Sequence, residues 1–354
     1  MVTMRDVADR AGVSIATVSF LLNDKKPVTA ATRAKIELAM TELGYRRNVV
    51  ARALASRRTH IIAMAYPALD HKFGFSAAEF FTSAAEAARK QDYHLVLWPV
   101  GNDGTELTEL VGQGLVDGVV LMEVQLDDPR VTILQDTGTP FAMIGRTSSL
   151  EGLSHVDIDF DRTVEDAVEH LYELGHRRLV LISGNLNDPL FSTYGPYVRS
   201  EAAYRRVAAE YGLETVVMES AGSTMAGQEA MAALIRDHPD TTAVLIVNEF
   251  AALGAVAGLN RLGRKVPADI SVLPLLMAPE MAALTNPELT IMRTPGPELG
   301  QLGTDALIRQ LEGADPLPPQ LVPAKLYPGA TVAGPKGRRS KGGGGRPAAR
   351  KARS

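Results

Sequence analysis

The sequence predicts an all-α helix-turn-helix headpiece followed by an α/β body of two doubly wound parallel-sheet lobes. Three observations carry this. Two short helical periods separated by a glycine open the chain, and from residue 61 apolar runs alternate with helical periods. Charge is also sharply partitioned. Residues 1–60 hold 11 Lys+Arg against 5 Asp+Glu, and residues 336–354 hold 8 basic residues and no acid. Residues 61–335 carry 18 basic and 36 acidic side chains, so the net charge of −4 hides two basic ends around an acidic body. A locally basic end is what phosphate binding needs, and an acidic body limits wrapping of nucleic acid around the rest.

The first element lies in residues 3–23. Thr3 can accept from the amide three residues on, and Asp6 places a carboxylate in the first turn. Val7, Ala8 and Ala11 make an apolar stripe, and Gly12 supplies a sharp turn. Ser14 then caps a second helix, residues 15–23, with Val18, Leu21 and Leu22 inward and Ile15, Ala16, Ser19 and Phe20 outward. At ~1.5 Å per residue it is about 13 Å long, which suits a DNA major groove ~12 Å wide. Residues 30–44 form a third helix, capped by Thr29, with Ile36, Ala39, Met40 and Leu43 on its core face. Nine residues, 49–57, are too few for a stable isolated helix, for which roughly 12–15 are marginal.

In the body, strands are predicted at 61–66, 94–100, 118–122, 141–144, 179–183, 243–247, 270–273 and 289–292. Helices are predicted at 77–91, 161–174, 200–211, 225–237, 250–262 and 297–312. Continuous apolar strands alternating with helices imply parallel sheets covered on both faces, with right-handed crossovers. Ligands in such sheets sit beyond the carboxyl ends of the strands. The tail from 336 reads as a disordered basic segment adding nonspecific phosphate affinity.

The chain has no cysteine, which excludes disulfides and thiolate metal sites. No apolar signal segment and no run of roughly 18 apolar residues is present, so a soluble, cytoplasmic, nucleoid-associated protein is expected. No GxxxxGK[ST], HExxH or GxSxG motif occurs, and His170 and His176 are not spaced as metal ligands. No catalytic residue, metal or cofactor is expected. An enzyme and a transport-type binding protein are the rival readings; the first lacks its motifs and the second has no use for residues 1–58.

The runs Asp6-Val-Ala, Ala11-Gly-Val-Ser14, Thr17-Val-Ser19, Leu22-Asn23, Thr32-Arg33, Leu43-Gly-Tyr45, Asn48 and Ala51-Arg-Ala-Leu54 resemble the headpiece of the lactose/galactose repressor family. Weaker similarity continues through Val116-Asp-Gly118, Leu174-Gly-His-Arg-Arg178, Asn248 and Val266-Pro-Ala-Asp-Ile-Ser-Val272. The resemblance implies a sequence-specific transcriptional regulator, a repressor, acting as a homodimer on palindromic double-stranded operator DNA. It implies a headpiece at 1–48, a hinge helix and linker at 49–60, and a two-lobed body at 61–335 like a periplasmic sugar-binding protein. The chain would cross between lobes near 160, 290 and 320. A leucine heptad for tetramers is missing from the tail, which favours a dimer.

By the same resemblance Ser14, Thr17, Ser19, Asn23 and Thr32 are contacts to the DNA backbone, which fix register without reading sequence. Tyr45 and Asn48 extend that grip. Base reading falls to Ile15, Ala16 and Phe20, which can touch thymine methyls but cannot make a bidentate hydrogen bond. Lys26 is the basic candidate for a base or nearby phosphate. Residues 49–57 match the family's hinge helix, with Leu54 as an apolar wedge that kinks the duplex; Arg47 stands where the family often has proline.

A small-molecule effector, a sugar or other metabolite, would occupy the cleft between lobes. Asn248 is kept, Glu249 replaces an aspartate, and Arg146 follows Gly145 where an aspartate is frequent. Leu276 and Met277 replace acids. Arg199 stands five residues before Tyr204 rather than four, with Ser200 at four. With hydroxyl-gripping groups absent or shifted, an effector less polar than a monosaccharide is expected. Phe73 and Phe75, on the loop after the first strand, are candidates to stack on it. An effector-independent repressor or architectural DNA-binding protein is the alternative.

Overall fold

A computed structural model describes residues 2–22, 26–45, 58–67, 74–150, 152–315 and 318–336. Asn23, Asn48, Leu54, Phe73, the 49–57 segment and the basic tail beyond Lys336 lie outside the described residues. The chain divides into two compact units, Met1–Thr59 and His60–Ser354.

The first unit is three helices, α1 (Met4–Ala11), α2 (Ile15–Leu22) and α3 (Ala30–Leu43). The Thr3 amide donates to the Asp6 carboxylate at 2.7 Å, and the Asp6 amide donates back to the Thr3 hydroxyl at 3.4 Å. This reciprocal box satisfies two of the donors that every helix start leaves open. Gly12 ends α1 at φ 66°, a left-handed conformation that a side chain would strain. The turn it makes lets Val7 and Ala8 meet Val18, Leu21 and Leu22, and Ile36 and Ala39 close the core from below. Met40, Leu43 and Tyr45 pack at its rim.

The second unit holds two lobes. Lobe 1 contains β1 (Ile61–Tyr66), β2 (His94–Pro99), β3 (Gly118–Met122), β4 (Phe141–Ile144), β5 (His155–Ile158) and β11 (Gln320–Val322). They form one parallel sheet in the order β2–β1–β3–β4–β5–β11. Its helices are α4 (Phe75–Lys90), α5 (Thr105–Gly112), α6 (Pro129–Asp136) and α12 (Gly296–Leu311). The period of two in β1 explains the layering. Ile62 and Met64 face α4 and α12 through Phe80, Leu299 and Leu307, while Ala63 and Ala65 face α5 through Leu107 and Leu110.

Lobe 2 repeats the plan with β6 (Leu179–Ser183), β7 (Val216–Glu219), β8 (Ala243–Ile246) and β9 (Ser271–Pro274), parallel in the order β7–β6–β8–β9. Around them lie α7 (Phe160–Glu173), α8 (Gly195–Glu210), α9 (Thr224–Asp237), α10 (Glu249–Arg261) and the short α11 (Pro279–Ala282). An antiparallel pair, β10 (Ile291–Arg293) with β12 (Lys325–Tyr327), joins this lobe. The chain passes between lobes after β5, after β10 and after β11.

Several elements differ from the sequence expectation. Strands β5, β7, β11 and β12 and helices α5, α6 and α11 were not expected. In β5 the buried His155 and Asp157 interrupt the apolar run, although all four residues are buried. β7 is an edge strand without a fully buried residue, and its apolar run is only the three residues Val216–Met218. The last expected parallel strand, at 289–292, instead begins at Ile291 and pairs antiparallel.

Candidate functional site

The candidate side chains fall in two regions, and each lies within one unit. In the headpiece, the Ser14 hydroxyl accepts from the Thr17 amide at 3.1 Å and pairs with the Thr17 hydroxyl at 2.8 Å, which caps α2. One short helix thereby gathers Ser14, Ile15, Ala16, Thr17, Ser19 and Phe20. Ile15 is 41% exposed, Ala16 is exposed, and Ser19 and Phe20 are half-buried. No charged or amide side chain occurs in Ile15–Leu22. Lys26 places a cation beside it: its Nζ lies 5.2 Å from the centroid of the Phe20 ring, a cation–π distance. Thr32 bonds to the Thr29 hydroxyl at 2.9 Å, so both help to start α3. Tyr45 is half-buried just past the end of α3.

In the second unit, a cavity of about 440 Å³ opens between the lobes. Its lining comes from just beyond the carboxyl ends of β1, β3, β4 and β5 on one side and of β6, β7, β8 and β9 on the other. That is where doubly wound sheets with this strand order leave a crevice. Met122, Val124, Ile144, Ile158 and Leu276 give it apolar wall. Phe191, Tyr194 and Tyr197 form an aromatic corner, with Tyr194 and Tyr197 edge-to-face at 4.9 Å and 86°.

The charged end is built around Asp157. Arg146 Nε lies 3.1 Å and Arg199 Nη1 3.7 Å from its Oδ2, and Arg199 also donates to the Arg146 carbonyl. Burial pushes the Asp157 carboxyl up, against the pull of the two guanidiniums. Arg199 lines the cavity while Ser200 is buried at 1% exposure. Arg199, the candidate displaced by one position from the family's spacing, thus faces the cleft from α8. Arg146 is half-buried, turned to Asp157 behind the cavity lining rather than in it.

Asn248 begins α10. Its Oδ1 accepts from the Phe250 and Ala251 amides at 3.0 Å each, and its Nδ2 donates to the Tyr197 hydroxyl at 3.4 Å. The oxygen is thus committed to the helix cap. Glu249 Oε2 accepts from the Ser76 hydroxyl at 2.8 Å, and burial pushes this carboxyl up. Phe75 departs from expectation: it is the first residue of α4, 59% exposed, and its neighbours Gly74, Ser76 and Ala77 line the cavity instead. Sequence reasoning missed Phe191, Tyr194, Tyr197, Glu123 and Asp157. The cluster Phe191, Tyr194 and Tyr197 around a Gly-Pro step was a usable signal. Glu123, at φ 50°, had none.

A family model for bacterial regulatory proteins of the lacI family matches residues 3–48, and one for periplasmic binding protein-like domains matches residues 168–332. The chain is similar to the HTH-type transcriptional regulator reg1 of Streptomyces lividans, 32% identical over 348 residues, covering 94% of this chain and 97% of that one. It is 31% identical over 344 residues to the HTH-type regulator MalR of Streptomyces coelicolor, with the same coverage of 94% and 97%. Among solved structures, the lac repressor dimer bound to operator and the anti-inducer ONPF superposes with TM-score 0.79 at 26% identity, covering 94% of this chain and 99% of that one. A CelR–cellobiose complex superposes with TM-score 0.68 at 26% identity, covering 94% and 100%. Its capped recognition helix, its paired sheets and these likenesses over nearly its whole length together place the chain in the lacI family of bacterial regulatory proteins, as an HTH-type transcriptional regulator.

Proposed function

We propose that the protein is a repressor that binds a palindromic operator as a homodimer and is controlled by a small metabolite held in the interlobe cleft. The observation that supports this most is α2: a hydroxyl-capped helix with an outward face of Ile15, Ala16, Ser19 and Phe20. Ser14, Thr17, Ser19 and Thr32 touch phosphates and set register, joined by Tyr45, Asn23 and Asn48. Ile15, Ala16 and Phe20 read thymine methyls, and Lys26 adds one donor beside them. Residues 49–57 order on the operator, where Leu54 enters the base stack.

In the cleft, Arg199 and Asp157 hold the polar edge of the metabolite, and Tyr194, Tyr197 and Phe191 stack on its flatter face. Asn248 and Glu249 act from the α10 side, and Arg146 holds Asp157 in place. Ligand binding favours one lobe arrangement and shifts operator affinity, with a coupling of typically 1–3 kcal/mol in such systems. The protein works on DNA in the cytoplasm and carries out no catalytic step. Selection of binding sites from random duplexes, with sedimentation of the protein–DNA complex, tests the reading. A symmetric site bound by two copies is expected; an asymmetric site bound by one copy overturns it. Leu54→Ala is expected to weaken the selected site while leaving binding to unrelated duplex unchanged.

A further inference from the structure

Helix α4 lacks a side-chain cap of its own. Gly74 stands at its N-cap and has nothing to offer the amides of the first turn. The acceptor comes from the other lobe. Glu249, the first residue of α10, reaches across the cleft, and its Oε2 lies 2.8 Å from the Ser76 hydroxyl and 3.4 Å from the Ser76 amide. A negative group at the positive end of a sixteen-residue helix is stabilised by the helix dipole as well as by these bonds. Gly74 makes the approach possible, since a Cβ there would sit 2.0 Å from Glu249 Oε1. The Asn248 cap fixes the root of Glu249, which is only 7% exposed.

We infer that Glu249 is a positioning residue, an interlobe latch that caps α4 of lobe 1 from lobe 2. The inference rests on the cleft being the effector site, because Gly74, Ser76 and Glu249 also line that cavity. A ligand that bonds the first turn of α4 then competes with the latch or reinforces it. Closure of the lobes and order at the start of α4 become one event.

The full-length chain has no cysteine, so labels at Glu109→Cys in lobe 1 and Glu229→Cys in lobe 2 report lobe separation without background. Labelled protomers diluted into excess unlabelled protein, measured by pulsed dipolar spectroscopy, give the distance distribution. E249A is expected to shift it to longer distances, and E249Q, which keeps an accepting oxygen, by less. G74A acts from the opposite side and is expected to reproduce E249A, with no further shift in the double variant. Hydrogen exchange at residues 75–78 is expected to quicken by roughly ten-fold in E249A, the scale of a lost cap, while the far end of α4 is unchanged. A lower melting temperature with unchanged separation and exchange overturns the latch, as does a G74A variant that behaves like wild type. Operator binding measured on the same samples stands apart: its loss in the unmutated protein sinks the regulator reading and leaves the latch result intact.

Discussion

A reading helix with neither charge nor amide makes no bidentate hydrogen bond to a base edge and leans on shape and methyl contact. On the proposed function this puts the burden in α2 on Ile15, Ala16 and Phe20, with Lys26 drawn over the Phe20 ring. Replacing each contacted thymine by uracil removes one methyl, worth about 0.8 kcal/mol when buried, so operator binding should weaken roughly four-fold per site. Titration of paired thymine and uracil duplexes checks this; equal affinities would refute methyl reading. His176 offers a second residue-scale test. It is buried, its Nε2 donates to the Ala333 carbonyl at 2.8 Å, and its Nδ1 lies 2.9 Å from the Thr242 hydroxyl, which donates to the Arg178 carbonyl at 3.2 Å. Burial lowers the proton affinity of its ring. Both states are neutral at high pH. Below about 6.5 the unfolded chain takes up the proton first, so stability falls as pH drops, by at most about 1.4 kcal/mol per pH unit from this group. Urea midpoints at pH 7.5 and 5.5 should differ more for wild type than for His176→Gln.

At the level of elements, caps decide where helices start. Asn248→Ala removes the acceptor for two amides of α10 and should cost about 1 kcal/mol, readable as a lower denaturant midpoint. The caps at Thr3, Ser14 and Thr29 were legible in the sequence because a hydroxyl followed by a periodic apolar face is a local signal. The buried strands β1, β3, β4 and β6 were legible for the same reason: each is a short, unbroken apolar run. β5 was not, because Asp157 is buried for the sake of Arg146 and Arg199, which are distant in sequence and near only in the fold. The aromatic corner has no period to read, since Phe191 and Tyr194 lie in a loop, and its only signal was the clustering of Phe191, Tyr194 and Tyr197 around a Gly-Pro step. Arg199 shows how little a one-residue offset settles: neighbouring residues on a helix point about 100° apart, and only packing shows which of them meets the cavity.

For the molecule as a whole, charge is the organising quantity. Two basic ends frame an acidic body, and residues 337–354 alone hold seven Lys+Arg. Truncation after Lys336 should lower affinity for unrelated DNA and flatten its salt dependence by at most about six log units per log unit of salt, at ~0.9 for each phosphate released. The ranking of operator variants should stay unchanged, which competition titration at several salt concentrations would show. The threading of the lobes has a further consequence, for synthesis. Sheet β7–β6–β8–β9 is encoded in one stretch, 179–274, whereas lobe 1 takes α12 and β11 from residues 296–322. Leu299, Leu307 and Ile308 belong to the core beneath β1. A chain emerging from the ribosome can therefore pair all four strands of the 179–274 sheet before the first sheet gains its edge strand β11, and the half translated first must wait, with part of its interior unfilled, until residues 296–322 follow.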